Sequence, residues 1–514
     1  MGERQHRLTD CPKARSPALA GLRAVLVSKA RLLAVRELAS FPTFGYLRER
    51  AAADSAPAPS KPLPRRREYP AVSPRNDDRK AVTSEPEVAG AAPSARPSLR
   101  QAFGSLSEPV FRRWFLSQAL SASGTMTQSV GQAWLVLKLT GSGVDLGLMT
   151  GCFFVPLLLG GPWAGALVDR VDRRRLLIIT QALFLALACL LAALTAAGAV
   201  RVWMLFLIAA GTGAVNAPDS AARQVYAFDL VGRQRLASAV SLNEVVLNTS
   251  RVLGPAAGGA LLTTLGVSAC FVLNAASYLP TLLVLLLQKG TEGSASRPPS
   301  ARDRTRRSNG QLRVGLRYAW QNRPIRACLL LAAASGMLFN LSVPLPLLAT
   351  RTFHLGGGGY GLLMAVFGIG ALPGALLAAS GSGPPRGRSV VALALITAAL
   401  VLATASAPYA VLAFAGMAAT GCFSIWFIAR ANTLVQLESD SSMRGRVMGV
   451  WTMALPGCEP ITSPFVGWVA ESAGAREGFG LSGLALILAA CSGWSALSGR
   501  PGRRLAESRA STGG

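Results

Sequence analysis

The sequence predicts an all-α membrane protein with twelve transmembrane helices in two six-helix pseudo-repeat bundles, and three observations predict it. Apolar residues make up 51% of the 514 positions against 15% charged, with a mean hydropathy of +0.39, more than a water-soluble core needs. Apolar runs also recur at the length that crosses a hydrocarbon layer, roughly 20 residues at 1.5 Å each for about 30 Å. Finally, a polar, Arg-rich stretch near the middle of the chain separates six such runs from six.

Residues 176–200 and 267–288 are uncharged, and residues 390–428 hold two spans around Ala407, Pro408 and Tyr409. The expected helices run over 113–139, 143–168, 175–199, 202–226, 235–264 and 267–288. In the second half they run over 325–350, 358–380, 389–406, 408–435, 443–471 and 477–497. This organisation divides the chain into a basic N-terminal tail (1–98), an N-terminal bundle (99–288), a linker (289–324), a C-terminal bundle (325–498) and a tail (499–514). The tail at 1–98, rich in Pro, Ala, Ser and Arg, is expected to be disordered. Within it, residues 22–33 can form a basic amphipathic helix, read as a surface anchor, as the start of a transit peptide, or as part of a tail ahead of a later true start.

A net charge of +27 raises nucleic acid as a partner, so placement of the charge decides. Arginines cluster at Arg170, Arg173, Arg174 and Arg175, at Arg233 and Arg235, from Arg297 to Arg326, at Arg386 and Arg388, and at Arg444 and Arg446. Every second loop is basic, the pattern that retains Lys and Arg on the cytoplasmic side. Both termini are then expected in the cytoplasm of a multi-pass protein of a bacterial inner membrane, with lipid rather than nucleic acid as its surroundings. The eight cysteines are scattered without a CxxC pair, which implies neither a disulfide framework nor a zinc site.

The segment Gly165 to Leu177, GALVDRVDRRRLL, places a small residue, an acid and an arginine cluster between the second and third helices. It resembles the loop motif G-x-x-x-D-R-x-G-R-R of the major facilitator superfamily through Gly165, Asp169, Arg170, Arg173 and Arg174. The resemblance implies that these five residues gate the switch between two open states. Asp172 stands where that pattern has glycine, a position compatible with left-handed backbone. Gly165-Ala166-Leu167-Val168 is echoed by Gly374-Ala375-Leu376-Leu377 in the second half, and parallel halves of this kind place a substrate site between them near mid-membrane.

Residues 216–262 are similar to the fourth and fifth helices of a narrower branch that includes enterobactin exporters and macrolide-efflux proteins. Asp219, Arg223, Gln224, Asn243, Asn248, Arg251, Gly254, Pro255, Gly258 and Gly259 carry the likeness. RVLGPAAGG resembles a fifth-helix motif of proton-driven exporters, in which Gly254, Gly258 and Gly259 allow close packing and Pro255 bends the helix. GLRYAW from Gly315, GYGLLMAVFGIGALPGALL from Gly359 and RGRVMGVW from Arg444 extend the resemblance to about residues 98–498.

A charged side chain at mid-bilayer costs about 2.5–3.5 kcal/mol on insertion scales, so it persists where it is paired, hydrated or functional. Asp219, Glu244, Arg251 and Glu459 are accordingly the proton-coupling candidates. Asp219 and Arg223 share one helix face as an ion pair that is either structural or functional. Glu244, Asn248, Arg251 and Pro255 form one stripe, read as facing a central cavity. Glu459 lies within LPGCEPITSP; it and Glu244 stand where the family pattern has apolar or small residues. Gln128, Gln132, Asn243, Asn248, Asn340, Asn432 and Trp451 are the substrate-cavity candidates, with helix packing as the alternative role for each.

The resemblance implies a monomeric secondary transporter, energised by a proton gradient without cofactor or metal, that exports a small amphipathic compound such as a siderophore or macrolide. Uptake, and a non-transporting receptor on the same scaffold, are the alternatives. An ATP-driven pump needs a phosphate loop with Gly followed by Lys, and the chain has no Gly-Lys dipeptide. His6 and His354 are isolated from any nucleophile or metal-ligand set, which disfavours an enzyme.

Overall fold

Apolar runs, caps and prolines set the helices of this chain one by one. The computed structural model describes residues 104–231, 236–288, 313–380 and 383–498. The expected tails, the basic segment at 22–33 and residues 289–312 of the expected linker lie outside the described residues.

Helix α1 (Pro109–Thr140) starts with proline in its first turn and stops at Gly141, whose φ of 66° is the left-handed cap that glycine adopts without steric cost. Helix α2 (Gly143–Arg170) begins one residue later, its first turn capped by the Ser142 hydroxyl. Helices α3 (Arg173–Ala196), α4 (Val202–Val231), α5 (Leu236–Thr264) and α6 (Val267–Leu287) follow through short connections. In the second half come α7 (Arg323–Phe339), α8 (Gly356–Ser380), α9 (Gly387–Ala405), α10 (Ala410–Glu438), α11 (Arg444–Gly457), α12 (Glu459–Ser472) and α13 (Ala475–Ser498).

Among the described residues, seven helices are long and apolar enough to cross a membrane, and the bent pair Arg323–Phe339 with Pro344–Thr352 makes an eighth. Large apolar side chains point outward along them, Leu376 at 71% and Val411 at 76% exposure, as they do on a protein whose solvent is lipid.

Helix occupies every range expected from the sequence, with three differences. The expected span 325–350 breaks after α7 and resumes as Pro344–Thr352 at 41°; Pro344 and Pro346 supply no backbone donors there. The expected span 443–471 divides at Cys458 into α11 and α12, between Pro456 and Pro460. The expected linker also contains structure, because residues 313–321 are helical and α7 begins at Arg323.

The helix pairing repeats. In the first half α1 packs on α5 and α6, α2 on α4, and α3 on α4 and α6; in the second, α7 packs on α11 and α13, α8 on α10, and α9 on α10 and α13. Two pairs make most of the contact between the halves, α2 with α12 and α5 with α8. The tetrapeptide echo is not matched in packing: a Cβ at Gly374 would meet the Cys422 carbonyl, whereas one at Gly165 would meet nothing within 4 Å.

Connections alternate between a basic end, with the loops at Arg170–Arg173 and Asp440–Arg444, and a far end, with the turns at Gly141, Gly266 and Gly474. Toward the far end one apolar core is shared by both halves, joining Val130, Leu146 and Phe271 to Leu347, Val466 and Phe479. Toward the basic end the core splits. Phe111, Trp114, Leu177 and Leu285 belong to a first-half cluster, and Ile325, Val391, Phe427 and Leu486 to a separate second-half cluster.

Candidate functional site

Contact between the halves runs from the far end to mid-molecule and is set by small residues. A Cβ at Gly143 would strike the Gly467 carbonyl, one at Gly147 the Ser463 carbonyl and Pro464, and one at Gly259 the backbone of Gly361. The deepest contact on the second pair is Gly368 of α8 against the Arg251 carbonyl of α5. Beyond it, α11 touches α2 sparingly, and a Cβ at Gly445, Gly449 or Gly457 would meet nothing within 4 Å.

The polar stripe of α5 crosses this boundary. At Pro255 it is buried and its carbonyl lies against Gly361 of α8, whereas Arg251 and Glu244 are exposed and Asn248 is half-buried. The face that touches the second half at Pro255 therefore turns toward the gap between the halves at Glu244 and Arg251. Glu244 and Arg251 form no ion pair; the described residues contain only Arg173–Asp229 and Asp219–Arg223. Asn248 donates to the Glu244 carbonyl of its own helix at 2.9 Å. Asn243 is exposed beside this stripe.

The glycine motif of α5 serves two interfaces. Gly254 and Gly258 lie against α1, at Met126 and Val130, and the Thr127 hydroxyl donates to the Gly254 carbonyl at 2.9 Å. Gly259 instead faces the other half. Helix α5 is thus packed on both sides by residues too small to separate backbones.

Two buried carboxylates differ in their partners. Asp219 of α4 is fully buried and receives Thr180 Oγ1 at 2.7 Å and Gln181 Nε2 at 2.9 Å from α3. The Arg223 guanidinium one turn on completes the pair. Glu459 is 6% exposed and stands in the first turn of α12, where the helix N-terminus favours negative charge. Its Oε2 accepts from Ser463 Oγ at 3.2 Å, and Ser463 Oγ accepts from the side-chain amide of Asn340. No cation lies within ion-pair distance of Glu459 among the described residues.

Asn340 caps the C-terminus of α7 at its break, so the chain Asn340–Ser463–Glu459 connects the two places where helices are interrupted. Cys458 adds a hydrogen bond to the Ala333 carbonyl at 3.2 Å, and Gly336 of α7 lets the α11–α12 break approach closely. The structure therefore unites two residues that the sequence singled out separately, through a serine that it did not single out.

The other cavity candidates lie apart. Gln128 accepts from Asn274 Nδ2 at 2.7 Å and ties α1 to α6, beside Tyr278, which sits 3.2 Å from Thr125 Oγ1. Gln132 is half-buried with its amide nitrogen unpartnered. Asn432 accepts from Gln436 on α10 at 3.1 Å. Trp451 is buried in the second-half core, away from the first half.

At the basic end, the loop motif holds its own half together. Arg173 pairs with Asp229 at the end of α4 at 2.7 Å, and Arg174 donates to the Leu285 carbonyl at 2.8 Å and to that of Leu286 at the C-terminus of α6. Arg170 is exposed. Asp169 is on the last turn of α2, and its side chain lies outside the described residues. Asp172 does not take up left-handed backbone: with φ −56° and ψ 121° it is the N-cap of α3, accepting from Arg175 N at 2.8 Å. An acid there caps the helix, which accounts for its replacing glycine.

Residues 100–498 match the family described as transmembrane secretion effector. The enterobactin exporter EntS of Citrobacter koseri is 26% identical over 408 residues, 74% of this chain and 91% of that protein. The multidrug efflux pump Tap of Mycolicibacterium fortuitum is 28% identical over 387 residues, 73% of this chain and 92% of its own length. The staphyloferrin A transporter of Staphylococcus aureus is 28% identical over 268 residues, 50% of this chain and 64% of that protein. In fold, the chain is similar to a bacterial homologue of the lysosomal transporter Spinster in an inward-facing, occupied conformation, with TM-score 0.59 and 14% identity over 76% of this chain and 96% of the other. It is similar also to a bacterial homologue of ferroportin in an inward-facing state, with TM-score 0.57 and 14% identity over 76% and 99%. A multi-pass helical chain whose residues 100–498 match in this way belongs to the transmembrane secretion effector family of major facilitator transporters.

Proposed function

We propose that the protein is a twelve-span, two-bundle carrier that exports a small amphipathic organic compound by alternating access. One observation carries the reading: the apolar core is continuous across the halves at the far end and split at the basic end. Two rigid halves that share packing at one end only are the geometry of a carrier open on the other side. By the distribution of arginine the basic end is cytoplasmic, so the termini lie in the cytoplasm and the gap receives substrate from inside. The chain acts as a monomer in a bacterial inner membrane, with no cofactor. The siderophore and drug exporters among its relatives support export, and a siderophore or macrolide is the substrate class.

Protons drive the cycle in this reading, and Glu459 carries them. Asp219 is engaged by the Arg223 guanidinium and two neutral donors, the arrangement of a structural ion pair. Glu459 has a hydroxyl and a helix end but no cation, so taking up a proton removes a buried charge outright. Arg251 and Glu244 line the gap as substrate contacts.

The test is flux in proteoliposomes of the full chain, with a panel of siderophores and macrolides and an imposed pH gradient. Gradient-dependent export is expected, and Glu459→Gln should lower it at least about tenfold while leaving exchange without a gradient in place. Flux indifferent to the gradient, or full pH-driven export by Glu459→Gln, would overturn proton coupling through this residue. Binding without flux would reduce the protein to a receptor.

A further inference from the structure

The helical stretch 313–321 precedes the entry of α7 at the basic end. Its inner face is docked. Ala319 is fully buried, Gly315 lies against Arg446 of α11, and the Tyr318 hydroxyl donates to Asp440 Oδ2 at 2.9 Å. Its outer face carries Arg313, Leu316, Arg317, Trp320 and Gln321, which line an open recess of about 460 Å³.

That face combines two chemistries. Leu316 and Trp320 are 48% and 55% exposed, an apolar surface that water does not favour. Arg313 and Arg317 lie one turn apart and take part in no ion pair among the described residues. The nearby acid Asp440 is engaged by Tyr318. The Arg326 guanidinium lies 6.0 Å from the centre of the Trp320 ring and donates to its carbonyl at 3.3 Å. It and Arg323 place positive charge in the first turn of α7, which holds no acid and already presents a positive helix end. Such a concentration of charge beside a membrane-entry point is complementary to phosphate at the headgroup level.

We propose that this recess binds an anionic phospholipid, its phosphate between Arg313 and Arg317 and its glycerol and upper acyl chain against Leu316 and Trp320. The observations on helix 313–321 carry this independently of the direction or energy source of transport.

Native mass spectrometry of the purified full chain, titrated with phosphatidylglycerol or phosphatidylcholine, tests it. Phosphatidylglycerol is expected to bind at least about tenfold more tightly. Arg313→Gln with Arg317→Gln should abolish that preference, and Trp320→Ala should weaken both lipids. All three side chains are exposed, so folding is expected to survive; should the double variant aggregate, each single arginine variant is expected to lose about threefold. Equal binding of the two lipids to the unaltered chain, or a preference retained by well-folded arginine variants, would overturn the proposal. So would displacement of phosphatidylglycerol by millimolar inorganic phosphate, since the site would then hold a small soluble anion.

Discussion

At the scale of single residues, Asp219 and Glu459 differ in what compensates a buried carboxylate. Asp219 is a closed unit: Thr180, Gln181 and Arg223 consume its acceptors. Removing one partner of a buried pair costs about 3–5 kcal/mol, mostly because the other charge is stranded. Arg223 keeps 28% of its side chain exposed, so the lower end of that range applies. Asp219→Ala is therefore expected to lower stability by about 3 kcal/mol, and Asp219→Ala with Arg223→Ala to recover part of it; thermal melts of the detergent-solubilised variants read both. The anomalous residues were legible from sequence, because Asp219, Glu459 and Asn340 stand out in apolar runs. Ser463 was not. Serines and threonines recur throughout these helices and mostly bond the carbonyl one turn back, as Thr125 and Thr127 do, so nothing in the sequence distinguishes the one that bridges Asn340 to Glu459.

At the scale of elements, α5 is the helix on which two kinds of packing can be told apart. Gly254 faces α1 inside the first half, whereas Gly259 faces Gly361 across the halves. Overpacking costs typically 1–3 kcal/mol, but what it damages depends on the interface. Gly254→Leu is expected to lower the melting temperature, because a side chain there would strike Met126 and the Ser123 carbonyl of α1 inside the same half. Gly259→Leu is expected to keep the fold and part the far ends. A disulfide engineered between cysteines at Thr263 and Gly358, adjacent in this state, should form readily in the parent and poorly with Gly259→Leu. Helix ends were legible to within a few residues from the lengths of the apolar runs, but Asp172 escaped as a cap because a short acid in a loop suits a left-handed turn as well as a helix N-terminus. The bend after α7 escaped because hydropathy alone runs smoothly through NLSVPLPLL, although Pro344 and Pro346 signalled it. The helix at 313–321 escaped for a different reason, since its arginines made it read as linker.

At the scale of the whole molecule, the far end is held by a latch between the halves. Glu471 Oε2, at the end of α12, accepts from Ser142 Oγ at 2.7 Å and from the backbone of Gly143 and Val144 at 2.9 and 3.2 Å. One half thus caps the N-terminus of α2 in the other. Arg351, in the resumed part of the broken span, donates to the Gly141 carbonyl at the end of α1. Helix α12 bears Glu459 at its other end, about 18 Å away at 1.5 Å per residue, and Ser463 and Gly467 between them both contact α2. Glu459 and the latch thus stand at opposite ends of one helix that contacts α2 along its length. Loss of a helix cap costs about 0.5–2 kcal/mol, a several-fold shift when two states lie close in energy. Glu471→Ala, alone or with Arg351→Ala, is therefore expected to raise the population open at the far end several-fold. Double electron–electron resonance between labels on the far-end turns of α1–α2 and α12–α13 measures it, as a second, longer distance that grows at the expense of the first. An unchanged distance distribution in both variants would show that glycine packing alone holds the far end closed.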